Sequence, residues 1–343
     1  MKIFLLLFLI IQVHAAPVEG LSPELSFVDG CKVTANSFRD TKVFPGNRCI
    51  FLPDGSFLSA SNDTVRLFSP TNSVVWAHKD LWLHHQMNLS ADGTRILLLG
   101  SEIIALDGKK VRGDIFIILD LKTGKVLHQS SSRSLLIQKN LAVQAMRSNQ
   151  SKINLNLEME ITHFNSMYEI PAITGKNVPA YIKAGNIIVN SKKDTGFLIL
   201  SPDLQTVLHH GTFPMAVRSY THDVQVTPEG NYLIFNNLSM NSTEEHPYSE
   251  INEVNPGNMK VMFTIKAEPG PFFFSLFCGG IQKLNERYYF ISHNYAGVFF
   301  YDKKLKKITM SGDFLTRTEG GVTPTQQVKL LNVSSFLLNH QSN

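Results

Sequence analysis

Three stretches of the chain open on histidine and run into strand-forming residues: His84-His85-Gln86-Met87-Asn88-Leu89, His163-Phe164-Asn165-Ser166-Met167 and His222-Asp223-Val224-Gln225-Val226. In the first and third, a turn at Asp92-Gly93 or Glu229-Gly230 hands over to an apolar run, Ile96 to Leu99 or Tyr232 to Phe235. Imidazole titrates near neutral pH, and its neutral form can attack an electrophilic sulfur or phosphorus centre to give a covalent intermediate. Histidines drawn from different strands can also hold a metal ion. A plainer use is capping or packing the strand ends. Recurrence at one position favours a shared site, with His85, His163 and His222 as its candidate residues.

The elements that must position them are strands. Short apolar runs bounded by Gly, Pro, Asn and Asp recur along nearly the whole chain, which argues for an all-β fold. Five units pair an inner turn with an outer turn. The first has Pro53-Asp54-Gly55 and Ser69-Pro70-Thr71-Asn72, and the second Asp92-Gly93 and Leu121-Lys122-Thr123-Gly124. The third has Ala184-Gly185-Asn186 and Pro202-Asp203-Leu204-Gln205, the fourth Glu229-Gly230-Asn231 and Pro256-Gly257-Asn258, and the fifth Asn285-Glu286 and Asp302-Lys303-Lys304. Units of four strands at a spacing of roughly 40 to 60 residues are the signature of a β-propeller. Residues 131–159 read as an insertion with a short helix. Strand-like segments at both ends, 25–33 and 326–338, lack units of their own, and joining them removes exposed edges. The expectation is an all-β, six-bladed β-propeller over residues 22–343, with one blade shared between the N- and C-terminal strands. A β-sandwich or β-helix fits the paired turns less well.

Composition bounds the function. With 43% hydrophobic and 17% charged residues the chain can bury a full core. A formal charge of +4 and no basic run beyond Lys303–Lys307 exclude a nucleic-acid face. Lys2, the apolar run Ile3 to Ile11 and Val13-His14-Ala15 have the form of a signal peptide over residues 1–15, so the protein is expected to be exported, periplasmic or secreted. No later run suffices for a membrane span. Of three cysteines, Cys31 and Cys49 are the plausible bridge, with Cys278 left over. Asn-x-Ser/Thr sites stand at Asn62, Asn88, Asn149, Asn237, Asn241 and Asn332, which matter in a eukaryotic secretory host. Oligomeric state is not legible.

Thr221-His222-Asp223-Val224 through Asn236-Asn237, Tyr248 to Val254, Gly280 to Leu284, His84-His85 with Asp92-Gly93, Val111-Arg112-Gly113-Asp114 and Asp120 to Val126 together resemble the arylsulfotransferases. The resemblance spans most of residues 48–302. It implies a six-bladed propeller that moves a sulfuryl group from an aryl sulfate to a phenolic acceptor through a sulfohistidine. No nucleotide donor, cofactor or metal is implied. His222 matches a family active-site histidine by its motif, and His163 and His85 match by blade position. Histidines and an arginine are implied to neutralise the sulfuryl oxygens.

Two positions depart from the family pattern. The segment Asn236 to Met240 brings no arginine, and Gly270-Pro271-Phe272 puts proline where the family nucleophile stands. Arg218 and His293 are the neighbouring residues that could take those roles. Two other classes stay open: a non-catalytic ligand-binding propeller of the same family, and a quinoprotein-like oxidoreductase suggested by Asp120-Leu121-Lys122-Thr123-Gly124. That segment is also the composition of a hairpin turn.

Overall fold

A computed structural model describes residues 26–29, 32–35, 40–43, 48–52, 54–79, 81–106, 109–139, 159–160, 162–191, 196–214, 221–237, 249–266, 279–293, 297–312, 317–318, 321–322 and 328–331. Near the N-terminus lie β1 (Ser26–Asp29), β2 (Lys32–Ala35) and β3 (Asp40–Val43). Blade one follows as β4 (Arg48–Phe51), β5 (Phe57–Ala60), β6 (Thr64–Phe68) and β7 (Val74–Lys79). Blade two is β8 (Trp82–Leu89), β9 (Arg95–Leu106), β10 (Lys109–Asp120) and β11 (Val126–Ser131). Helix α1 (Ser132–Gln138) then falls inside the stretch expected as an insertion, and β12 (Met159–Glu160) pairs in parallel with β10.

Blade three is β13 (Phe164–Glu169), β14 (Ile187–Ser191), β15 (Phe197–Leu200) and β16 (Val207–Gly211). Blade four is β17 (Thr221–Val226), β18 (Tyr232–Asn236), β19 (Glu250–Val254) and β20 (Val261–Lys266). Blade five is β21 (Gly279–Lys283), β22 (Tyr288–His293), β23 (Gly297–Asp302) and β24 (Lys307–Gly312). A small hairpin, β25 (Arg317–Thr318) with β26 (Gly321–Val322), precedes β27 (Val328–Leu331).

Every blade runs antiparallel in simple sequence order, so the fold is an all-β propeller with almost no helix. Among the described residues the blades number five where the sequence predicts six. The strands of the two ends instead form a sheet in the order β27-β1-β2-β3, with β1 against both β2 and β27. That sheet touches β21 and β22 on one side and β4 on the other.

The apolar runs lack alternation because each middle strand is covered on both faces. Ile96 and Leu98 pack toward blade one with Leu58, Val65 and Leu67. Leu97 and Leu99 pack toward blade three with Phe164, Met167 and Val189. Outer strands such as β7 and β11 are largely exposed. Inner turns rest on glycine where the backbone must turn left-handed, as at Gly93 (φ 70) and Gly230 (φ 90).

Buried polar side chains tie neighbouring blades together. Asp114 Oδ2 accepts from Phe164 N at 3.1 Å, joining blades two and three. Asn165 Nδ2 donates to Thr221 O at 2.8 Å, joining three and four. Asp223 Oδ2 accepts from Ile281 N at 2.9 Å, joining four and five. Each polar group is buried, so an unmade bond would leave its full desolvation cost.

Cys49 is disulfide-bonded, while Cys31 and Cys278 lie outside the described residues, as do the expected signal peptide and Asn149, Asn241 and Asn332. Asn88 and Asn237 are 3% and 0% exposed, while Asn62 is exposed. Among the described residues no helix is long and apolar enough to cross a membrane.

Candidate active site

Two of the histidine-bearing inner strands are bulged at their histidines, and the third just after His163. The ladder shifts between Leu83 and Met87 on β8, between Phe164 and Ser166 on β13, and between Thr221 and Val224 on β17. A bulge breaks the strict alternation of a strand and re-aims its side chains. His85 sits within the first bulge at φ 55. His84, His85 and His222 are therefore turned by local backbone rather than by strand period.

The result is one cluster drawn from three blades. Ring centroids lie 4.9 Å apart for His84 and His85, 4.8 Å for His85 and His163, 6.0 Å for His84 and His163, and 6.3 Å for His85 and His222. His85 Nε2 and His163 Nε2 are 2.8 Å apart. His222 Nδ1 is 2.6 Å from Asn237 Oδ1. The amide oxygen accepts, so Nδ1 carries the hydrogen and the lone pair of neutral His222 lies on Nε2.

His84 is anchored differently. Its Nε2 lies 2.7 Å from Asp114 Oδ1 and 3.1 Å from Gly100 O, and its Nδ1 is buried with no hydrogen-bond partner among the described residues. Burial pushes the Asp114 carboxyl up, but the charge and hydrogen bond of His84, with the charge of His163, outweigh it and hold the group below the usual carboxylate range. The Asp114 amide is itself held by Ser132 Oγ and Thr162 Oγ1, each at 3.1 Å.

His85 is pushed well below the ordinary histidine value, first by burial, then by the charges of His84, His163, His222 and Arg48. It is half-exposed to solvent yet densely surrounded by protein, as a channel-lining group is. Arg48 begins β4, the inner strand of blade one, at the blade position the histidines occupy in theirs. Burial lowers its guanidinium below the ordinary value, and arginine keeps its charge even so.

Of the residues expected from the sequence, the structure brings together His85, His163 and His222. Arg218 lies outside the described residues. His293 ends β22, its backbone opposite Gly279 and Gly297, and its side chain is not among those described. His84, Asp114, Asn237 and Arg48 were not expected as site residues. Arg48 carries the same signal as the histidines, a chemically able residue at the start of an inner strand. No group of three His, Cys, Asp or Glu is arranged to hold a metal among the described residues.

The Asp120-to-Gly124 segment is a hairpin turn on the outer rim. Asp120 Oδ1 accepts from Thr123 N at 2.7 Å and from Thr123 Oγ1 at 2.6 Å, and Gly124 has φ 68. Trp76 docks on it, its Nε1 donating to Leu121 O at 3.0 Å. The turn joins β10 to β11, away from the histidines, and its local bonds explain its composition.

The fold and this cluster define a propeller with a histidine-lined site on its inner strands. The sequence profile of the arylsulfotransferase (ASST) family matches residues 59–315, and the chain belongs to that family. No curated protein matches it. Among solved structures, a protein of unknown function from Bacteroides caccae is similar at 10% identity, covering 91% of this chain and 100% of that one with a TM-score of 0.56. The Neurospora crassa Pan2 WD40 domain is similar at 11% identity, over 82% of this chain and 73% of its own, with a TM-score of 0.45. At such identities the first likeness supports the fold alone.

Proposed function

We propose that this chain transfers a sulfuryl group from an aryl sulfate to a phenolic acceptor, with His222 Nε2 as the nucleophile. The observation that carries this reading is the Asn237 bond, which presents the Nε2 lone pair of a buried histidine inside a cluster of three others. Nε2 forms a bond to sulfur as the sulfur–oxygen bond to the aryl group breaks, and the phenolate departs with the electron pair and takes up a proton. A phenolic acceptor then gives up a proton, its oxygen bonds to sulfur, and the nitrogen–sulfur pair returns to Nε2. Proton loss and gain cancel over the cycle.

Arg48 supplies the cation that the sulfuryl oxygens require, in place of the family arginine. Neutral His85 lets the cluster donate hydrogen bonds without further positive charge. The Cys49 disulfide and the expected signal peptide support an exported protein. The position of the β27-β1-β2-β3 sheet between blades five and one supports reading it as the sixth blade.

The test incubates purified protein with a chromogenic aryl sulfate and a second phenol, following phenol release and sulfated acceptor together. Turnover that disappears in His222→Ala, with a sulfuryl adduct on the His222 peptide, is the expected result. Saturable binding with neither product nor adduct would replace the transferase by a binding propeller.

A further inference from the structure

Trp82 is 56% exposed although it opens β8, the inner strand that carries His84 and His85. Trp76, the chain's other tryptophan, is committed to the outer-rim turn. Pairing places Trp82 opposite Ser101, and Ser101 opposite Asp114. Residues directly opposite share a face, so Trp82, Ser101 and Asp114 form one row across β8, β9 and β10. Leu83 takes the other face and is buried toward blade one. His84 reaches the same Asp114 from two residues further along β8, about 7 Å of strand.

Beyond that row the β9–β10 hairpin continues to its tip at Leu106 and Lys109, roughly 17 Å past Ser101. Ile103, 37% exposed, lies two residues on and shares the row's face. Its cross-strand partner Arg112 is pinned by its Nε to Ser101 Oγ at 2.9 Å. An exposed indole and an exposed isoleucine thus share one face of the blade whose inner strand carries His84 and His85, with the Arg112 guanidinium held beside Ser101.

We propose that Trp82, with Ile103 behind it, is the platform on which the aromatic ring of the sulfate ester or acceptor stacks, so that ring binding at this wall sets the site's preference for aryl over alkyl sulfates. The identity of the ring rests on the sulfuryl-transfer reading; the platform itself rests on the exposure and row position of Trp82. Offset stacking of two rings contributes beyond the apolar area it covers, and an indole at the edge of an anion site orients the ring while its charged end faces the cations.

With two tryptophans in the chain, the Trp76→Phe variant reports Trp82 alone. Titration with 4-nitrophenyl sulfate, corrected for absorption, is expected to quench this fluorescence saturably. Trp82→Leu is expected to weaken binding of the same ester about tenfold by calorimetry and to leave binding of methyl sulfate unchanged. Should Trp76→Phe fold poorly, the quench is read in the unaltered protein against Trp82→Leu. Linear, non-saturating quenching, or equal affinity in Trp82→Leu, overturns the platform. Saturable quenching without phenol release keeps the platform and ends the transfer reading; phenol release without quenching does the reverse.

Discussion

His85 and His163 face each other nitrogen to nitrogen, Nε2 to Nε2 at 2.8 Å, so one hydrogen serves both rings. One ring donates and the other accepts, and protonating the acceptor would set two N–H groups against each other. Burial and its cationic neighbours hold His85 itself well below the ordinary histidine value.

That restraint has a cost in stability with a definite sign. Below the ordinary histidine value of 6.5, the unfolded chain takes up a proton at His85 that the folded chain refuses, so stability falls as pH drops from about 6.5 toward the depressed folded value. Thermal midpoints of the protein are expected to decline between pH 7 and 5 and those of His85→Gln to decline less, since this one group contributes at most about 1.4 kcal/mol of unfolding free energy per pH unit. Parallel pH profiles in the two proteins would count against a depressed His85.

Asp114 is expected to matter more for folding than a surface carboxylate. Asp114→Asn puts an amide where the carboxylate accepts from Phe164 N and meets His84 Nε2, and should lower stability by roughly 1–3 kcal/mol, the cost of leaving buried hydrogen-bonding groups poorly matched. His84→Gln in the same chain should cost less than it does alone, because the partner it loses is already gone. Denaturant unfolding of the two singles and the double measures the coupling, and strict additivity would contradict a mutual pair.

Removing the Asn237 side chain frees the ring of His222 to adopt the other tautomer. Asn237→Ala is expected to lower kcat roughly tenfold, the value of one hydrogen bond at a reacting group, with KM little changed. Steady-state kinetics beside a melting curve separates this from a folding defect.

Arg48→Met is expected to lower kcat for aryl-sulfate turnover by about 10²–10³, as removal of a preorganised group facing developing charge does. It should also raise the His85 pKa, since one of the charges depressing it is gone. NMR titration of the His85 ring reads the second effect without turnover.

If the chain is expressed through a eukaryotic secretory pathway, glycopeptide mapping of the folded fraction should find glycan at exposed Asn62 and none at buried Asn88 or Asn237. Asn88 Nδ2 is already engaged with Met167 O at 2.9 Å. Glycan on either buried site in folded protein would contradict their packing.

The blades were legible because each needs two tight turns, and Gly with Asp or Asn marks those turns locally. The recurrence of histidine at strand starts was legible for the same reason. Their direction was not, since a bulge such as that at Thr221 to Val224 breaks the alternation that sequence reading relies on. Asp114 stayed hidden because its partner His84 is found only through the register of β8, β9 and β10. Arg48 stayed hidden because it opens β4 in blade one, outside the segments that carry the family resemblance, whereas the missing family arginine belongs to blade four.

The sheet that joins the two ends has a consequence for how the protein is made. As the chain emerges from the ribosome, β1 can pair with β2 at once, but its other edge must wait for β27, the last strand among the described residues. Until then a strand edge stays open on every nascent molecule, a template for pairing with a neighbour. Chains that stop short of Val328 would carry that open edge permanently, so truncated products should be recovered as aggregates or strand-swapped oligomers rather than as soluble partial rings.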